Sequence, residues 1–69
     1  MNKKEIKAAL KMANDGAEFI NISQIARALN RSRDSARNLV YGLEYLPSGR
    51  NKNYFIDDVA ERILAAKVS

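Results

Sequence analysis

The sequence predicts a mainly α-helical domain with a small β-hairpin, and three observations carry that reading. Apolar residues recur at spacings of three and four in the opening, central and closing stretches, which is the signature of helices with one buried face. Residues 22–41 divide around Asn30 into two short helical pieces. A polar, turn-rich run, Pro47-Ser48-Gly49-Arg50-Asn51-Lys52-Asn53, separates two β-prone pieces, Tyr45-Leu46 and Tyr54-Phe55-Ile56.

Taken in order, the first helix occupies residues 1–15. Asn2 stands where a cap belongs, and Ile6, Ala9, Leu10 and Ala13 form the apolar face. Lys3, Lys4, Lys7 and Lys11 fall mostly on the other side and read as a solvated face. Asp15-Gly16 stops the helix, because glycine accepts the left-handed conformation that follows a helix end. Glu18 to Ile22 reads as a short strand or extended bridge. Ser23 is the expected cap of the next helix, which buries Ile25, Ala26 and Leu29 and breaks at Asn30. Asparagine tolerates positive φ better than other non-glycine residues.

Ser32 caps the following helix, with Asp34 in its first turn, where a negative charge complements the helix dipole. Ala36, Leu39, Val40 and Leu43 make its buried stripe. Arg33, Arg37 and Tyr41 recur at four-residue spacing on the opposite face, with Asn38 beside them. The helix reaches Tyr41–Leu43, near Gly42. The hairpin covers residues 45–56 and has a basic tip. Asp57 then caps a closing helix over 57–66, in which Val59, Ile63 and Leu64 pack inward and the tail from Ala65 frays.

The 69 residues fit one small domain, near the lower limit for a self-sufficient core, and no repeat or linker divides residues 1–69. Neither cysteine nor histidine occurs. That removes disulfides, thiolate or histidine metal sites, a histidine base and a catalytic triad. With no glycine-rich phosphate loop either, neither an enzyme nor a bound cofactor is expected. No apolar run is long enough to span a bilayer, and a cytoplasmic protein without a membrane partner is the expectation. The adjacent Asp57 and Asp58 read as helix-start residues rather than a metal or acid–base pair.

The distribution of charge says more than the formal net of +4. Arg27, Arg31, Arg33, Arg37, Arg50 and Lys52 crowd the central third against only Asp34 and Glu44. Arginine presents a planar fork of donors suited to phosphate and to guanine. Arg33 and Arg37 are candidates for contacts with base edges or phosphates of double-stranded DNA, and an ion pair of Arg37 with Asp34 at i, i+3 is the plainer alternative. Asn38 reads either as a contact with adenine or as a plain exposed polar residue. Arg27 and Arg31 suit the sugar–phosphate backbone, as do Arg50 and Lys52 at the hairpin tip. Ser32 and Ser23 leave helix N-termini facing outward, although capping accounts for both. Tyr41 reads either as a phosphate contact or as packing at a helix end.

The pattern Ala26, Asn30, Ala36, Leu39 fits a helix–turn–helix: a small residue where the helices cross, a turn residue able to take positive φ, and apolar positions inside the second helix. Arg31 departs from the apolar residue usual after the turn. From Ile22 to Leu64 the chain resembles the small winged helix–turn–helix proteins of the excisionase type, distant relatives of the DNA-binding domain of MerR regulators. Ser32-Arg33, Leu46-Pro47, Gly49-Arg50 and Tyr54-Phe55-Ile56-Asp57-Asp58-Val59 carry the resemblance. It covers about two thirds of the chain. The segment between Val40 and Pro47 is a residue longer than usual, and the helix at residues 2–14 lies outside the minimal pattern.

What the resemblance implies is a phage or mobile-element protein that binds DNA and either assists recombination or regulates transcription. Arg33, Arg37, Asn38 and Tyr41 would enter the major groove, and Arg50 and Lys52 would form a wing on the backbone or in the minor groove. An integrase, or a second copy on the same DNA, is the implied protein partner. The long dimerising helix and effector domain of MerR regulators have no counterpart here, so no small-molecule effector is expected. The competing expectation is an adaptor or inhibitor whose same basic face meets an acidic protein.

Overall fold

The computed structural model describes residues 2–66. Helix α1 spans Lys3–Met12, strand β1 Phe19–Ile20, α2 Ile22–Leu29, α3 Arg33–Leu39, β2 Tyr45–Ser48, β3 Asn51–Phe55 and α4 Ile56–Ala66. The strands form one antiparallel sheet in the order β1-β3-β2. The protein is thus mainly helical with a small three-stranded sheet, and the bridge expected around residues 18–22 is that third strand. Phe19 pairs with Phe55 and Ile20 with Tyr54 on one side of β3; Tyr45 pairs with Tyr54 and Ser48 with Asn51 on the other.

One core joins all the helices. Ile6 and Leu10 of α1, Ile25 and Ala26 of α2, Ala36 of α3 and Ile56, Val59 and Ala60 of α4 close around Ile20, Val40 and Tyr54. Burial at these positions supplies the main force for folding, on the order of 1.5–3 kcal/mol for each large aliphatic side chain. Ala26 and Ala36 are small enough to let α2 and α3 cross closely, and both are buried. Of the apolar face expected on α1, Ile6 and Leu10 hold, whereas Ala9 is exposed. In α4 Val59 is fully buried, with Ile63 and Leu64 half-buried against the core.

Helix ends follow local chemistry. The Asn2 side chain accepts from the Glu5 amide at 2.9 Å and starts α1. After α1, Asp15 and Gly16 both take positive φ, and the Gly16 amide donates to the Lys11 carbonyl at 2.7 Å. The start of α2 corrects the expectation. Asn21, not Ser23, is the cap: its side chain accepts from the Gln24 amide, and the Gln24 side chain accepts from the Asn21 amide, a reciprocal capping box. Ser23 and Ile22 are therefore helical. Gln24 also donates to Asn14 Oδ1 at 2.6 Å, and Asn14 donates to the Phe19 carbonyl, tying the end of α1 to β1 and α2.

Asn30 ends α2 in the left-handed conformation, at φ 54° and ψ 48°, as its type suggested. The Arg31 amide then reaches back to the Ala26 carbonyl at 2.9 Å, the six-to-one bond of a Schellman turn. Ser32 caps α3 through the Ser35 amide, as expected. But α3 stops at Leu39 rather than at Tyr41–Leu43, with Val40 as its C-cap and Gly42 at positive φ just beyond.

The hairpin is tighter than its polar sequence suggested. Most of the run from Pro47 to Asn53 is paired strand, and only Gly49 and Arg50 form the turn. Pro47 sits within β2, the outer strand of the sheet. Helix α4 begins at Ile56, so Ile56 belongs to the helix rather than to the strand, although its amide still donates to the Glu18 carbonyl at 2.9 Å and continues the pairing of β1 with β3. Asp57 is accordingly a first-turn residue, not the cap, and Asp58 lies beside it. The helix continues through Ala65 and Ala66; the remainder of the tail expected to fray lies outside the described residues.

Candidate functional site

A polar groove of about 240 Å³ runs between α3, the start of α2 and the β2–β3 hairpin. Arg33 and Arg37 line it from α3, and Arg50 and Lys52 from the hairpin. Asn21, Ile22 and Ser23 close one end, and Tyr54 lies against the core side. The fold explains the meeting. Arg33 and Arg37 stand four apart on one flank of α3, and the two-residue turn brings Arg50 and Lys52 together at the hairpin end. All four cations are solvent-exposed, and among the described residues no carboxylate lines the groove.

Two contacts hold cations at this site. Arg37 Nη1 lies 3.1 Å from Asp34 Oδ1, the i, i+3 pair anticipated from the sequence. Its side chains are 61% and 89% exposed, so the pair contributes only a few tenths of a kcal/mol and yields readily to a stronger anion. Lys52 places its ammonium 4.8 Å from the centre of the Tyr45 ring, and Tyr45 in turn packs against Tyr54 at 5.8 Å. This cation–π contact limits the freedom of a long side chain without neutralising it.

The other sequence-derived candidates lie elsewhere. Arg31 and Asn38 line a second, largely apolar groove with Leu29, Ala36, Leu39 and Ile63, on the far flank of α3. Arg27 is exposed on α2, and the Ser32 hydroxyl is engaged as the cap of α3. Tyr41 lies beyond the helix end, 82% exposed. Four of the nine candidates therefore converge on one groove, and the outward surface of α3 between the two grooves carries Asp34.

Three of the four α1 lysines depart from the solvated face expected of them, and Lys4 stays exposed. Lys3 meets both Asp57 and Glu61, at 3.1 and 3.0 Å, Lys7 meets Asp57 at 2.9 Å, and Lys11 meets Glu18 at 2.8 Å. Hydrogen bonds from Lys7 and Lys3 hold the Asp57 carboxyl below its usual range, and Lys11 does the same for Glu18. Glu61 and Asp57 together raise the Lys3 ammonium above its usual value.

Sequence reasoning also missed Arg62 of α4. Its Nη1 donates to the carbonyl oxygens of Tyr41 at 2.8 Å and of Leu39 at 3.3 Å. No local pattern announces this, since the partners lie 21 and 23 residues away. Among the described residues no group of histidine, cysteine, aspartate or glutamate could hold a metal ion, and no helix is long and apolar enough to cross a membrane. Comparison with protein-family models, with curated proteins and with solved structures finds no match.

Proposed function

We propose that this protein binds double-stranded DNA as a small winged helix–turn–helix domain, with α3 in the major groove and the β2–β3 hairpin as a basic wing on the backbone. The order helix, strand, helix, helix, hairpin, helix agrees with that layout. The observation that carries the reading is the convergence of Arg33, Arg37, Arg50 and Lys52 on one groove that no carboxylate lines. Cations held close together, with the exposed Asp34 beside Arg37 as their carboxylate partner among the described residues, raise the local potential and repel one another, which lowers stability unless a polyanion gathers them. A phosphodiester backbone supplies anions at regular spacing and releases its own counterions on binding.

Within this reading Arg33 and Arg37 bind a guanine edge or the flanking phosphates, and Arg50 and Lys52 bind phosphates. Tyr41 offers a hydroxyl beyond the end of α3. Asn38 and Arg31 belong to the far flank and come second. The role in the cell is that of a recombination accessory factor or a transcriptional regulator of the excisionase-like kind, acting in the cytoplasm.

Fluorescence anisotropy with mixed-sequence duplex DNA tests the proposal. Four or five phosphate contacts give a slope of log K against log salt of about −3.5 to −4.5. Absence of binding at low salt, or a slope near zero, overturns the reading. Selection of bound sites from random duplexes then defines the sequence preference.

A further inference from the structure

Helix α3 has seven residues, too few to hold its own shape in water. Its N-terminus is capped by Ser32, but the sequence after Leu39 has no standard helix stop until Gly42. The last carbonyls of a helix lack intrahelical partners and need them from elsewhere. Here they come from another element. One nitrogen of Arg62, on α4, donates to Leu39 in the last turn and to Tyr41 just past it. A guanidinium keeps its charge at any physiological pH, and its position at a helix C-terminus also complements the negative end of the dipole. Among the described residues no carboxylate pairs with Arg62, so these two carbonyls are its polar contacts.

We infer that Arg62 is a positioning residue that clamps the C-terminal end of α3 to α4 and so fixes the angle at which Arg33, Arg37 and Tyr41 are presented. The inference rests on the DNA-binding reading above and assigns Arg62 a part in it without contact to DNA. The clamp bridges the point where the chain leaves α3, turns at Gly42 and enters β2. Both grips on the proposed duplex, the helix and the hairpin, are joined by that short segment. The clamp ties the two together; without it α3 is anchored by Ala36, Leu39 and Val40 and is freer to turn about its axis. Selectivity among sequences depends on that angle more than general attraction to phosphates does.

The test compares the wild type with Arg62→Met, which keeps the apolar stem and removes the donors, and with Arg62→Lys, which keeps a charge but not the fork. Amide exchange in the free protein reads the clamp directly. The Val40, Tyr41 and Leu43 amides, bonded to Ala36, Asn38 and Val40, are expected to exchange roughly tenfold faster in Arg62→Met, the scale of one hydrogen bond to a charged group, with the amides of Leu10 and Ile25 unaffected. Arg62→Lys falls between, and it decides the matter if the methionine variant does not fold.

In anisotropy titrations, affinity for a preferred duplex falls about tenfold, affinity for mixed-sequence duplex changes little, and the salt slope stays the same. A slope reduced by about one makes Arg62 a phosphate contact and overturns the inference. So does unchanged exchange at residues 40–43, or a loss equal for all sequences. If the wild type binds no duplex, the DNA reading fails by itself, and the exchange measurement still decides whether Arg62 holds α3.

Discussion

On the α1–α4 side of the molecule, Lys3, Lys7 and Lys11 each end on a carboxylate. On the α3–hairpin side, Arg33, Arg50 and Lys52 end on none among the described residues, and Arg37 meets only the highly exposed Asp34. The two surfaces contain similar numbers of cations but differ in what the fold sets opposite them. The acids of α4's first turn lie across from α1, so the charge there serves helix packing and the helix dipole at once. The groove receives no such acids. Net charge alone does not single out a surface; the proposal of DNA binding rests instead on where charge is left with few internal partners.

The largest expected effect comes from removing the two cations that α3 brings to the groove. Arg33→Ala with Arg37→Ala is expected to weaken duplex binding by about 2–4 kcal/mol, from one lost base contact and one lost phosphate or base contact, with little change in melting temperature. Lys4→Ala, an exposed cation of α1 outside the groove, serves as the control and should leave affinity within about twofold. Equal losses in the two proteins break the comparison. Next in size, Arg50→Ala with Lys52→Ala should weaken binding across all sequences and reduce the salt slope by about two, which titrations at several salt concentrations measure.

Asn21→Ala separates fold from site. It removes the α2 cap at a cost of about 1 kcal/mol in denaturant unfolding, and it lowers affinity only as far as the rim of the groove loosens. The smallest effect belongs to the other side. Asp57 and Glu18 are held below their ordinary values of 3.8 and 4.5, so their pairing adds stability above those values and is lost as the pH falls through the lower, folded ones. Lys3 is raised above 10.5, and its contribution is present below that value and disappears as the pH rises through the folded one. Melting followed from pH 6 to pH 2 should show this acid limb, and Asp57→Asn should flatten it without altering DNA affinity near neutrality. A loss of affinity in that variant would show that the two surfaces are coupled.

Helices α1, α2 and α3 and the hairpin were legible because each rests on local signals. Asn2 and Ser32 cap as their types suggest, and Asn30 adopts the left-handed turn. The start of α2 is not legible locally, because Ser23 is a good cap by type, whereas the choice of Asn21 depends on Gln24 three residues on and on Asn14 across space. The end of α3 falls earlier than the apolar stripe implies, because the stripe through Leu43 continues after the helix itself has stopped. At the site, the clustering of arginines in the central third was visible, but their division between two flanks was not. Asn38 follows Arg37 directly, yet one step along a helix turns it toward the apolar groove. The pairing of Lys3 and Lys7 with α4, like the grip of Arg62, joins residues far apart in the chain, which no spacing rule reaches.

Pro47 carries a last consequence. With Gly49 and Arg50 as a two-residue turn, Ser48 and Asn51 form the hydrogen-bonded pair, and the next pair, Pro47 and Lys52, is the non-bonded kind. The backbone nitrogen of Pro47 therefore faces away from β3, on the sheet's open margin, where it has no hydrogen to offer an incoming strand. The margin thereby lacks one of its donors, which disfavours edge-on polymerisation, and a Pro47→Val variant would be expected to self-associate more readily than the parent.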